Sequence, residues 1–212
     1  MNKAALIFGA GFIFLAGAAR ADGARQNPLV LIQTELGDIK AEIFESKAPV
    51  TASNFLRYVD ENRYEGATFY RVFKPDNQPD TLIKVELVEA GLRLDVRTKR
   101  LPPIPHETTA MTGILHKDGA LSLARGKPGT AGSEFFICIN DQPEMDFGGR
   151  RNPDGKGYAA FGRVIEGMAV VRRIQQMPAD GQVLIQKVRI KNIIRVSLPI
   201  KNSDVHVPGH YD

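Results

Sequence analysis

Between residues 29 and 199 the sequence is cut into short apolar runs by clusters of glycine, proline, asparagine and aspartate. That segmentation constrains the fold most, because backbone in such short runs is satisfied by sideways pairing. "LVLIQTELGDIKAEIF" alternates on both sides of Gly37-Asp38, which predicts a hairpin turning at that pair. "ATFYRVF", "TLIKVELVEAGLRL", "GALSLAR", "SEFFICI", "YAAFGRV" and "VLIQKVRIKNIIRVSL" read as further strands. Between them lie turn-rich loops, "KPDNQPD" and "MDFGGRRNPDGKG", and "TKRLPPIPHETT", where three prolines exclude regular structure. Only two stretches have helical character. "APVTASNFLRYVDENRYEG" puts Phe55, Tyr58 and Val59 on one face with Pro49 in its first turn, and "MAVVRRIQQM" is stopped by Pro178. Many short strands with one early and one late helix specify a mainly β chain: a closed antiparallel barrel with helices plugging its ends.

The first 21 residues stand outside that domain. Lys3 is followed by an apolar run rich in small residues and then by Ala19-Arg20-Ala21, the layout of a secretory leader with an A-x-A cleavage site. The expected organisation is a leader at 1–21, a linker at 22–28, the domain at 29–199 and a loose polar tail at 200–212. The mature protein is then expected in a bacterial periplasm or outside the cell, with no stable membrane insertion. Removing the leader deletes Lys3 and Arg20 and no acid, so the formal charge falls from +4 to +2. So small a charge, with scattered basic residues, argues against nucleic acid as a partner.

Little in the chain points to covalent or metal chemistry. His106, His116, His206 and His210 lack zinc-ligand spacing, so no metal is expected. Ser122 and Ser133 lie in strand-like runs, and the sequence suggests no activating partner for either. Cys138 is flanked by Phe136, Ile137 and Ile139 and reads as a small buried apolar residue.

One residue is out of character. "FYRVF" places Arg71 inside an apolar strand, where the guanidinium cannot shed its proton and must find water, an acid or a ligand. Together with "TELGDIKAEIFESKAPVTASNFL", "GALSLARGKPGTAGSEFFICI" and "YAAFGRVIEGMAVVRRI", in that order along the chain, it resembles the cyclophilin-type peptidyl-prolyl cis-trans isomerases over nearly all of residues 29–199. The resemblance implies an eight-stranded antiparallel barrel capped by two α-helices, a groove on its outside, and an X–Pro peptide bond as substrate. It implies no cofactor, proline-containing segments of client proteins as partners, and a monomer.

The resemblance makes Arg71 the catalytic residue. It assigns substrate binding to Phe136, Glu134, Glu89, Leu87, Ala124, Arg125 and Met145. Several of these depart from the family pattern. Glu134 and Glu89 stand where glutamines are usual, Leu87 replaces a pocket methionine, Met145 a leucine, and Arg125 an asparagine. Tyr70 stands for a histidine, and the pocket histidine expected near Gly149 is missing, as is the tryptophan many members carry. Two carboxylates near Arg71 are expected to pair with it, aiming its side chain but weakening its field at a ligand; the alternative is that one or both acids point to solvent. The expected outcome is a slow isomerase, partly recovered by Glu134→Gln. The contrasting reading is a non-catalytic module that grips proline-containing segments. Two loops, "RLPPIPHETTAM" and the basic "GGRRNPDGKG", are longer than a compact core needs and are expected to form rims that set substrate preference.

Overall fold

Strand β1 (Leu29–Thr34) turns into β2 (Gly37–Ile43) through Glu35 and Leu36, two residues before the predicted Gly37-Asp38 turn. Thr34 sets the position. Its Oγ1 accepts from the Leu36 N–H at 3.0 Å and donates to the Gly37 carbonyl at 2.6 Å, closing a side-chain-to-backbone turn. Gly37, at φ +126°, then becomes the first residue of β2. The structure is a computed structural model and describes residues 26–93 and 99–197. The leader at 1–21, all but the last residues of the linker, and the tail at 200–212 lie outside the described residues.

Helix α1 (Pro49–Asp60) starts at its proline, and no side chain of its own caps it. Instead the carboxylate of Glu107, buried, accepts from the Thr51 N–H at 2.6 Å. Glu107 belongs to the proline-rich segment. The same segment bridges Ile104 to Ala131, and its Leu101 N–H donates to the Tyr58 hydroxyl at 2.7 Å. The segment expected as a substrate rim therefore caps and packs the helix.

Strands β3 (Thr68–Phe73), β4 (Leu87–Gly91), β5 (Ala120–Leu123), β6 (Phe135–Cys138), β7 (Ala159–Glu166) and β9 (Val183–Val196) complete the wall, with a two-residue β8 (Ala179–Asp180) attached to β9. Their order is β1-β2-β7-β5-β6-β4-β3-β9, and β9 pairs back onto β1. The result is the expected closed eight-stranded antiparallel barrel. Besides α1 it carries α3 (Met168–Gln175) and a single turn, α2 (Thr109–Thr112), so there are three α-helices among the described residues where two were expected. The predicted strand over "TLIKVELVEAGLRL" shortens to β4. Ahead of it, the Gln78 amide donates to the Val85 carbonyl at 2.8 Å and accepts from its N–H at 3.3 Å, so a side chain does what a neighbouring strand would do.

Strand β6 explains how the wall serves two clusters. Phe135 and Ile137 point into the main core with Phe55, Leu121 and Val188. Phe136 and Cys138 point outward into a second cluster with Phe73, Leu87 and Met145. A strand buried on both faces reads as an unbroken apolar run. Cys138 is free and sealed within this layer, and burial pushes its thiol far above the ordinary value.

Where β7 crosses β2 the two backbones nearly touch. A Cβ on Gly162 would lie 2.6 Å from the Glu42 carbonyl oxygen, a separation that no packed side chain tolerates. Gly162→Ala is expected to lower the unfolding free energy by about 1–3 kcal/mol, read as a lower denaturant midpoint. An unchanged midpoint would show that the pairing can widen at no cost.

Candidate active site

Arg71 stands outside the wall because β3 carries an extra residue. Phe69 pairs with Ala90 and Arg71 with the next residue, Glu89, so Tyr70 has no partner in β4; the register to β9 shifts at the same place. Such a bulge turns the alternation over by one step. Phe69 and Val72 face the main core, while Tyr70, Arg71 and Phe73 face outward.

Three contacts then aim the guanidinium. Its Nε and Nη2 both donate to the Gln182 side-chain oxygen, Nε at 3.1 Å. Its Cζ lies 4.5 Å from the centre of the Phe73 ring. Its Nη1 lies 3.6 Å from Glu89 Oε2, beyond a good hydrogen bond, and the side chain keeps 42% of its surface exposed. Arg71 is thus held on one edge and open on the other.

A hollow of about 90 Å³ adjoins that open edge, roughly three times a water molecule's share of the liquid. Its apolar walls are Phe73, Leu87, Phe136, Met145 and Tyr158. Phe136 is braced from below. His116 stacks on it with ring centres 6.0 Å apart, and Tyr158 meets it edge-on at 5.3 Å. On the other side of Arg71 lies a wider, charged cavity of about 650 Å³ lined by Tyr70, Asp80, Glu89, Arg93, Arg100 and Glu134 among others.

Of the predicted residues, Arg71, Phe136, Glu89, Leu87, Ala124, Arg125 and Met145 all border the hollow. Glu134 does not. It lines the charged cavity, where its carboxylate accepts from Ser133 Oγ at 2.8 Å and the Arg93 N–H at 3.0 Å, with Arg100 Nη2 at 3.9 Å. Of the two acids expected to pair with Arg71, only Glu89 comes within ion-pair range of it. Arg125 lies on the rim, but its guanidinium is taken by Asp154 at 2.8 Å and by the Gly157 carbonyl. Burial pushes the Glu89 carboxyl up, opposed by Tyr70 and Arg71.

Sequence reasoning missed several residues around Arg71 and the hollow. Tyr158 supplies the aromatic wall where a histidine was sought near Gly149. Arg151, from the long basic loop, reaches the hollow and rests 5.6 Å from the Phe73 ring centre, so that loop does form a rim. Phe73 was legible two residues beyond Arg71 on the same strand face. Gln182 carries no local signal, being 111 residues away from the arginine it holds.

Ser122 also gains a partner. His116 Nδ1 lies 2.7 Å from Asp146 Oδ1, and its Nε2 3.0 Å from Ser122 Oγ. The carboxylate only accepts, so Nδ1 carries the proton. The layout is that of a nucleophile, base and orienting acid, but Ser122 is fully buried and His116 nearly so.

The chain was compared with known proteins. A family model described as "Cyclophilin type peptidyl-prolyl cis-trans isomerase/CLD" matches residues 29–195. A peptidyl-prolyl cis-trans isomerase of Acinetobacter baylyi is 32% identical over 191 residues, spanning 90% of this chain and 94% of that relative. Peptidyl-prolyl cis-trans isomerase B of Escherichia coli is 32% identical over 173 residues, spanning 81% of this chain and 99% of the relative. A crystal structure of a Cryptosporidium parvum cyclophilin-type isomerase superposes with a TM-score of 0.64 at 24% identity, covering 82% of this chain and 99% of that one. Another structure of it, obtained in the presence of the dipeptide Ala-Pro, gives 0.65.

A serine-directed fluorophosphonate is expected to leave Ser122 unlabelled in the folded protein. Mass spectrometry that found the adduct on native protein would show that the buried serine is reachable.

Proposed function

This chain belongs to the cyclophilin-type peptidyl-prolyl cis-trans isomerase family, and we propose that it isomerises X–Pro bonds of exported proteins, assisting their folding, at a rate restrained by Glu89. The observation that carries the proposal is the Arg71 guanidinium, anchored on Gln182 along one edge and open along the other, beside an apolar hollow.

Rotation about an X–Pro bond must break amide resonance, over a barrier of about 18–20 kcal/mol. In the twisted state the prolyl nitrogen regains a lone pair that the planar amide lacks. A fixed N–H donor at that nitrogen therefore binds the transition state better than either planar isomer. Arg71 Nη1 is the group free to do this. The hollow walled by Phe136, Met145 and Leu87 holds the pyrrolidine ring still while the acyl side turns. No bond is made or broken, so no nucleophile is needed. Glu89 works against Arg71: ionised, it draws Nη1 toward itself and offsets part of the positive field.

Export is supported by the leader pattern at 1–21, with action in the periplasm or outside, as a monomer, on proline-containing segments of client chains. The same Arg71–Glu89 pairing favours the second reading, a module that grips such segments without turning them.

In a protease-coupled assay on a short X–Pro peptide, Arg71→Ala is expected to lower kcat/KM by about 100-fold or more at unchanged thermal stability. Glu89→Gln is expected to raise it. Equal, negligible rates in the native protein and Arg71→Ala would leave only the gripping module.

A further inference from the structure

The Tyr70 hydroxyl lies 2.8 Å from Glu89 Oε1 and 3.0 Å from Glu134 Oε2. Both distances are those of hydrogen bonds, yet a phenol has one proton and an ionised carboxylate has none. Two ionised carboxylates would leave one of these contacts as oxygen against oxygen, between side chains that are at most 16% exposed. The contacts are satisfied together only if one acid carries a proton.

The surroundings say which. Glu134 accepts two further hydrogen bonds, from Ser133 Oγ and the Arg93 N–H, with Arg100 near the same oxygen. Its place is also reserved by Gly91, where a Cβ would lie 2.1 Å from Glu134 Oε2. Glu89 has no hydrogen-bond donor besides Tyr70 among the described residues: Arg71 stands off at 3.6 Å, and the Glu89 side chain is only 13% exposed. The charge therefore belongs on Glu134 and the proton on Glu89.

We propose that Glu89 is protonated in the active form of the site, that it donates to Tyr70, which donates in turn to Glu134, and that this relay leaves the Arg71 guanidinium free for the substrate. The inference rests on the isomerase reading and deepens it: Glu89 is a positioning residue acting through Arg71, and its proton sets the activity. Among the described residues, the charged and titratable groups around Glu89 are Tyr70 and Arg71 from β3, Glu134 ahead of β6, Arg93 beyond β4, Arg100 and Asp80 across the cavity, and Arg125, Arg151 and Tyr158 around the hollow. The sign follows from the geometry. With Glu89 neutral, Arg71 acts with its full charge; as pH rises and Glu89 ionises, it pairs with Arg71 and activity falls. Burial moves that fall upward from the ordinary carboxyl range.

The test follows cis-trans exchange of an uncharged, end-blocked Ala-Pro peptide by NMR from about pH 4.5 to about pH 8.5. For the native protein kcat/KM is expected to fall by about two- to fivefold across that range, the scale of one weak ion pair. Glu89→Gln is expected to be flat. Glu134→Gln is expected to move the fall to lower pH, because it removes a negative neighbour and turns the Tyr70 proton toward Glu89. Superimposable native and Glu89→Gln profiles would overturn the inference and leave the isomerase reading standing. No exchange in the native protein at any pH would overturn both. Carbon-13 NMR of the Glu89 carboxyl in the native protein gives an answer free of any folding defect in the variants, and ionisation already complete at about pH 5 would refute the relay.

Discussion

A single unpaired residue in β3 determines which way the site's chemistry points. Without the bulge at Tyr70, strict alternation would send Arg71 into the barrel interior with Phe69, where an unshared guanidinium costs several kcal/mol. With it, tyrosine and arginine emerge side by side on the outer face and Val72 still fills the core. The bulge repeats in the pairing to β9, so both neighbours of β3 hold it in register. The wall is rigid where the arginine leaves it, and Gln182 and Phe73 complete its aim.

The barrel was legible because its signals are local. Alternation marked β1 and β2, and the apolar run in "SEFFICI" marked a strand, which the structure buries on both faces. The hairpin was misplaced by two residues because Thr34 builds the turn with its own hydroxyl, a signal weaker to read than a Gly-Asp pair. The site divides the same way. Residues within the matching motifs, such as Phe136 and Met145, reach the hollow. Gln182, Tyr158 and Arg151 do not follow from any spacing, since folding alone brings them there from later segments. Arg125 borders the hollow, but its guanidinium is held by Asp154, a partner that no spacing announces.

Tyr70, Glu89 and Glu134 are best understood together. Each departs from the residue the family resemblance suggests, and each would be costly alone. Two buried acids without the tyrosine would face each other across a weakly screened gap. A tyrosine hydroxyl buried there without an acceptor would be left unsatisfied. Combined, they form a chain of hydrogen bonds from the strand next to Arg71 to the loop ahead of β6. The network carries acidic groups up to the edge of the arginine, with Glu89 Oε2 3.6 Å from its Nη1.

The closing strand has a consequence in time. β9 seals the wall by joining Asn192–Val196 to Leu29–Gln33, pairing the two ends of the domain. Contacts so remote in sequence carry the largest loop-closure entropy and form late. The Gln182 amide that orients Arg71 sits at the threshold of the same strand. A nascent chain whose final segment is still enclosed in the ribosomal tunnel has neither the sealed wall nor the aimed guanidinium. Closing of the wall and aiming of Arg71 therefore come together, with the release of the last strand.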